Sequence, residues 1–217
     1  MLNLIFNKEK NTPHRILCLG AHSDDIEIGC GGTILRLTEE YPNLCVYWIV
    51  FGSSQERAEE ALRSADTMLS QVGQKKVITK GFKDSFFPFV GAEIKEYFEM
   101  LKMEFAPDII FTHYRQDLHQ DHRVISDLTW NTFRDHFILE YEIPKYDGDL
   151  GSPNFFIQLS DQICQRKVQH ILSHFKTQAD RFWFTEDTFM ALLRLRGIEA
   201  RSPTKYAEAF YARKITF

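Results

Sequence analysis

A three-layer α/β/α domain built on a mostly parallel sheet is the fold class this sequence predicts. Three observations carry it. Apolar, strand-like runs alternate with helix-patterned segments from Arg15 to Phe133. One of these runs, Leu44 to Phe51 (LCVYWIVF), is apolar almost throughout, as in a strand buried on both faces. No internal repeat, low-complexity tract or linker interrupts the 217 residues, so a single domain over 1–217 is expected.

The elements follow in order. Arg15 to Ala21 (RILCLGA) is a compact apolar strand, and Gly31 to Glu40 reads as a helix opened by glycines. Leu44 to Phe51 is the second strand. Ser53 to Val72 is a long helix, with Ser53 and Glu56 spaced as a capping box that satisfies its first free N–H groups. Lys76 to Gly81 is a third, short strand. Glu93 to Phe105 places Ile94, Tyr97, Phe98, Leu101 and Phe105 at helical spacing. Pro107 ends that helix, and Asp108 to Thr112 is the fourth strand. Asp117 and Gln120 repeat the capping-box spacing before a helix running towards Phe133. Beyond it the alternation loosens: a strand over Ile138 to Ile143, a loop rich in proline and glycine over Pro144 to Pro153, helices over Asp161 to Ala179 and Thr185 to Arg196, and a last strand over Tyr206 to Ile215.

Doubly wound sheets most often place strand 4 beside strand 1, giving an order that begins 3-2-1-4 and a ligand crevice at the carboxyl ends of those two strands. Two short runs follow these strands. Ala21-His22-Ser23-Asp24-Asp25 comes after the first, and His119-Gln120-Asp121-His122 after the fourth. About a hundred residues apart in sequence, they are expected to meet in one crevice. His119 and His122 lie one turn apart on a common helix face.

Composition narrows the function. A net charge of −4 gives no basic surface, so nucleic acid is not an expected partner. The four cysteines show no C-x-x-C spacing, and Cys18 and Cys45 sit in apolar runs, which fits a reduced, cytoplasmic protein. No apolar run approaches the ~20 residues of a membrane span. The opening MLNLIFNKEKN is too short and too soon charged to read as a secretory signal. The 19 phenylalanines cluster in Phe86-Phe87-Pro88-Phe89, Phe155-Phe156 and Phe182-Trp183-Phe184. Core packing is the first reading of these clusters, and aromatic walls around a binding cleft or a homo-oligomer interface the alternative.

Catalytic zinc sites use three protein ligands and leave one position for water. His22 and Asp25, three residues apart past a strand, can turn towards one point, and one histidine of the second run can supply the third ligand. A metal there lowers the pKa of bound water. Asp24 is placed to take the proton, and the remaining histidine, charged and supported by Asp121, can stabilise a tetrahedral oxyanion. These are the parts that metal-assisted amide hydrolysis requires.

AHSDDIEIGCGGT resembles the AHPDD-type opening of the LmbE-like, or PIG-L, deacetylases, and HQDH resembles their H-x-D-H run. Arg57 and Glu60 match an R-x-x-E helix start, His174 to Gln178 a loose form of the H-x-S-Q run, and Tyr206-Ala207-Glu208-Ala209-Phe210 a stretch near the end. The resemblance implies a Rossmann-like sheet with one Zn2+ per chain held by His22, Asp25 and His122, Fe2+ being the other ion such ligands accept. It implies Asp24 as general base, His119 as oxyanion stabiliser and Asp121 as the carboxylate that tunes it. The expected substrate is a small N-acetylated amino sugar or its conjugate. Ser23 departs from the family's proline. Arg57 and His113 are candidate substrate contacts, read otherwise as a surface partner of Glu60 and a packed core residue.

Two other readings use the same residues: hydrolysis of a non-sugar amide, and a non-catalytic small-molecule-binding domain. A dinucleotide enzyme is disfavoured, because Gly29-Cys30-Gly31-Gly32 supplies neither G-x-G-x-x-G nor a P-loop pattern.

Overall fold

The computed structural model describes residues 13–215. The amino-terminal segment read above as no secretory signal therefore lies outside the described residues. Strands β1 (His14–Gly20), β2 (Leu44–Gly52), β3 (Gln74–Phe82), β4 (Ile109–His113) and β5 (Phe137–Tyr141) form the parallel part of one sheet. β6 (Phe155–Leu159) and β7 (Tyr206–Ala212) complete it in the order β3-β2-β1-β4-β5-β7-β6, with β7 antiparallel to both neighbours. The 3-2-1-4 beginning is the expected one. Ile16 pairs with Ile109 and with Val46, so β1 is hydrogen-bonded on both edges.

Side-chain alternation along the strands builds two cores. Ile16, Cys18, Val46, Trp48 and Phe111 face one side, against α1 (Asp25–Glu40), α2 (Gln55–Met68), α5 (Asp161–His174) and α6 (Glu186–Glu199). Leu17, Leu19, Ile49, Phe51 and Ile110 face the other, against α3 (Gly91–Glu104) and α4 (Gln120–Thr132). This is the reason β2 reads as apolar throughout: both of its faces are covered. All four cysteines are buried and free. Among the described residues no helix is long and apolar enough to cross a membrane.

The structure differs from the sequence reading in four places. First, α1 starts at Asp25, six residues before the expected Gly31. Its glycines lower helix propensity but are required by packing. A Cβ at Gly29 would lie 2.2 Å from the Tyr141 ring, and one at Gly32 2.5 Å from Leu159. Second, the cap of α2 is Ser54, which accepts from Arg57 N–H at 3.4 Å, while Ser53 donates to Lys80 O. Third, the cap of α4 is His119 and not Asp117, whose carboxylate is engaged elsewhere. Fourth, β6 follows directly on the proline-rich loop. Its five residues take their partners from β7, about fifty residues on, so no local pattern announces it.

Candidate metal centre

β1 ends at Gly20, and the chain turns sharply into α1. Gly52 N–H donates to Ala21 O at 2.7 Å, and Ala21 N–H donates to His113 Nε2 at 2.9 Å. The turn is thereby tied to β2 on one side and β4 on the other. Within it, His22 N–H donates to Asp25 Oδ2 at 2.6 Å. From the far side of the crevice the first turn of α4 delivers His122.

His22, Asp25 and His122 are all buried, and each offers a ligand atom within 4.8 Å of the others. His122 Nε2 lies 3.3 Å from His22 Nδ1, and Asp25 lies 3.5 Å from His22 and 3.6 Å from His122. The outer nitrogens are held by carboxylates: His122 Nδ1 at 2.9 Å from Asp117, His22 Nε2 at 3.2 Å from both Asp121 and Asp84. A carboxylate only accepts, so the outer nitrogens carry the protons and the inner ones present lone pairs. With the lone pairs so placed, the two inner nitrogens and Asp25 could hold one cation between them. Burial opposes charge on His22, but Asp121, Asp25 and Asp84 outweigh it and hold its pKa well above the usual histidine range. Burial likewise acts to raise Asp25, but His122 and His113 hold it well below the usual carboxylate range. His122 is pushed down to about 3, by burial and then by the neighbouring His113.

Behind His122 stands a group that sequence reasoning missed. Asp117 Oδ2 accepts from His122 Nδ1–H and, at 3.0 Å, from Lys145 Nζ, while its Oδ1 accepts from His119 N–H at 2.7 Å. Burial acts against ionisation of Asp117, yet His122 and Lys145 keep its pKa well below the usual value. Lys145 and Asp149 pair with each other, and Asp149 also holds Leu118 N–H at 2.7 Å. The loop after β5 is fastened at its far end too, where Arg196 and Gly151 N–H both bond Glu142. This explains the Pro144 to Pro153 loop: it carries Lys145 to the rear of the centre.

His119 caps its own helix, Nδ1 accepting from Asp121 N–H at 3.2 Å. The proton therefore sits on Nε2, and burial lowers the pKa. The imidazole is neutral, where the sequence reading has it charged. Asp121, expected to tune His119, directs its carboxylate at His22 and at the N–H groups of Ser85 (2.6 Å) and Phe87 (3.2 Å). Its effect on His119 is confined to its field.

Asp24, 4% exposed, accepts from Arg57 at 3.0 Å. Burial pushes its carboxyl up to about 6 against the pull of Arg57. Arg57 is thus no surface partner of Glu60: it faces Asp24 and, at 3.6 Å, Asp84. Glu60 is buried and binds Thr177 through N–H and hydroxyl at 3.0 and 2.6 Å, joining the two weaker sequence resemblances to each other. His113 is fully enclosed, 3.2 Å from Asp25 and stacked on His122, so it packs behind the ligands and does not line a substrate pocket. Ser23 is buried with an unpartnered hydroxyl, and nothing in the structure explains the substitution for proline. Asp84 gave no signal in the sequence, because a lone aspartate in a polar turn reads as surface.

Fold and site together define a class: doubly wound α/β domains with a buried centre of two histidines and one aspartate at the junction of the first and fourth strands. Residues 17–133 match the family described as PIG-L: GlcNAc-PI de-N-acetylase, and the chain belongs to it. It is similar to the diacetylchitobiose deacetylase of Thermococcus kodakarensis, with 23% identity over 89% of this chain and 81% of that protein. The structure is similar to that of N,N'-diacetylchitobiose deacetylase from Pyrococcus horikoshii (TM-score 0.69, 19% identity, 92% of this chain and 83% of that one). It is also similar to the 4-carboxy-2-hydroxymuconate hydratase of Pseudomonas putida KT2440 (TM-score 0.68, 14% identity, 94% and 98% of the two chains). The fold alone therefore does not select the reaction.

Proposed function

We propose that the chain, as one domain, is a zinc-dependent N-deacetylase acting on an N-acetylated amino sugar or its conjugate in the cytoplasm. The observation that carries this is the buried set His22, Asp25 and His122 with Asp24 beside it, its pKa raised to about 6. Family membership and the deacetylases among its relatives support amide chemistry on an acetamido sugar. Two imidazoles and one carboxylate with tethered outer nitrogens suit zinc, and iron(II) is the other ion they accept.

A divalent ion held by these three residues would make water acidic near neutral pH and polarise the amide carbonyl. The chain's own groups supply the rest. Asp24, with Oδ1 fixed by Arg57, takes the proton from the attacking water. A carboxylate with a pKa near 6 is ionised at pH 7 yet basic enough for the task. The same carboxyl group then returns the proton to the leaving nitrogen, so that acetate and a free amine result. His119 donates Nε2–H to the developing oxyanion. Its Nδ1 is already occupied by Asp121 N–H, which fixes the donor without a charge on the ring.

The test uses purified protein and glycosides of N-acetylglucosamine. Zinc-loaded protein releases acetate and chelated protein does not. Asp24→Asn keeps its metal and loses roughly 10²–10⁴ in kcat. Full activity in Asp24→Asn, or metal-independent release, would refute the mechanism.

A further inference from the structure

The turn between β3 and α3 is built unlike an idle surface loop. Ser85 is held in the left-handed region at φ 67°. Its N–H is bonded to Asp121 and its carbonyl accepts from Gln120 Nε2 at 2.5 Å. Backbone strain of this kind persists only where surrounding bonds enforce it. The adjacent Asp84 reaches His22, and Phe87 turns inward, fully buried, with its ring 5.9 Å from that of His22. The two flanking rings turn outward. Phe86 is 43% and Phe89 77% exposed, their centroids 6.0 Å apart. Lys83 covers one face of Phe86 at 3.8 Å, which leaves Phe89 as the open platform. Leu118, also exposed, lies two residues before the Gln120 that holds Ser85. An apolar rim is thus fixed rigidly to the edge of the metal centre.

We propose that Phe86, Phe89 and Leu118 form a subsite for an apolar aglycone, so that the substrate is an N-acetylated amino sugar bearing an aryl or alkyl group. This rests on the deacetylase reading above. The same turn that carries Phe86 and Phe89 brings Asp84 to His22 and Ser85 N–H to Asp121, so the rim borders the site that the acetamide would occupy. Clustered exposed rings rimmed by polar side chains mark a binding surface. Covering roughly 60 Å² of apolar ring at about 25 cal/mol per Å² corresponds to about a tenfold gain in kcat/KM.

The experiment compares acetate release from the methyl and phenyl glycosides of N-acetylglucosamine, in both anomers, by the zinc-loaded full chain. The expected ratio of kcat/KM, phenyl over methyl, is about ten, and Phe89→Ser brings it to near one. Phe89 is exposed, so the variant is expected to fold, and thermal unfolding checks this. A ratio near one in the unaltered protein overturns the subsite, as does an unchanged ratio in Phe89→Ser. A change in sedimentation mass in Phe89→Ser with the ratio unchanged would make the rim a contact between copies and also overturns it. Absence of acetate from every glycoside refutes the deacetylase reading instead, so the two failures are distinguishable.

Discussion

Replacing Asp117 by asparagine tests how the centre is held. Asp117 accepts on both oxygens: His119 N–H on one, His122 Nδ1 and Lys145 on the other. Asparagine offers one acceptor and one donor in the same space. Whichever way its amide turns, an NH2 group faces an N–H donor in a buried position. If it faces His122, the imidazole must move its proton to Nε2, the atom that should bind metal. If it faces His119 N–H, that donor loses its acceptor. A buried donor left facing a donor costs about 1–3 kcal/mol. At about 1.4 kcal/mol per decade, metal affinity falls ~10–100-fold. Competition with a chromophoric chelator measures this, and near-ultraviolet circular dichroism checks that the fold persists. Affinity equal to that of the unaltered protein would refute the assignment of Asp117 as the residue that sets the His122 proton.

Gly29→Ala brings a methyl group to 2.2 Å from Tyr141, whose hydroxyl donates to Leu19 O at 2.6 Å deep in the core. Overpacking of this kind costs ~1–3 kcal/mol, a fall in melting temperature of roughly 3–10 °C for a chain of this length, and an unchanged melting temperature in calorimetry would contradict it. Glu27 is fully buried, and burial raises its pKa from 4.5 to about 8 despite the bond from Ser64. Between these values the folded state keeps a proton that the unfolded state has lost, so stability of the metal-free protein falls as pH rises. Glu27→Gln should remove that decline, which urea unfolding at a series of pH values in the presence of chelator will measure. An identical pH slope in both proteins would refute the buried neutral carboxyl.

Much of the site was legible because it is local. His22, Asp24 and Asp25 share one turn, and His119 and His122 one helical turn, so spacing reveals each half. What joins the halves is the order of β1 and β4, itself a regularity of doubly wound sheets. Asp84, Asp117 and Lys145 were not legible as site residues. Asp84 and Lys145 come from loops after β3 and β5, where polar residues are ordinary. Asp117 fits a capping box with Gln120 equally well in sequence, and only the position of His122 shows that its carboxylate turns the other way. The glycines of α1 misled for a related reason: propensity penalises them, whereas Tyr141 and Leu159, far away in sequence, require them.

The sequence by itself determined the parallel half of the sheet, the helices that cover it and the two runs proposed to supply ligands and base. These depend on periodicity and short spacings, which local physics reads. Tertiary structure alone decided the antiparallel β6 and β7, the neutral state of His119, the pairing of Arg57 with Asp24 and the Asp117–Lys145 support behind His122. Each depends on which distant group arrives within about 3 Å, because hydrogen bonds and desolvation act over contact distances and not along the chain.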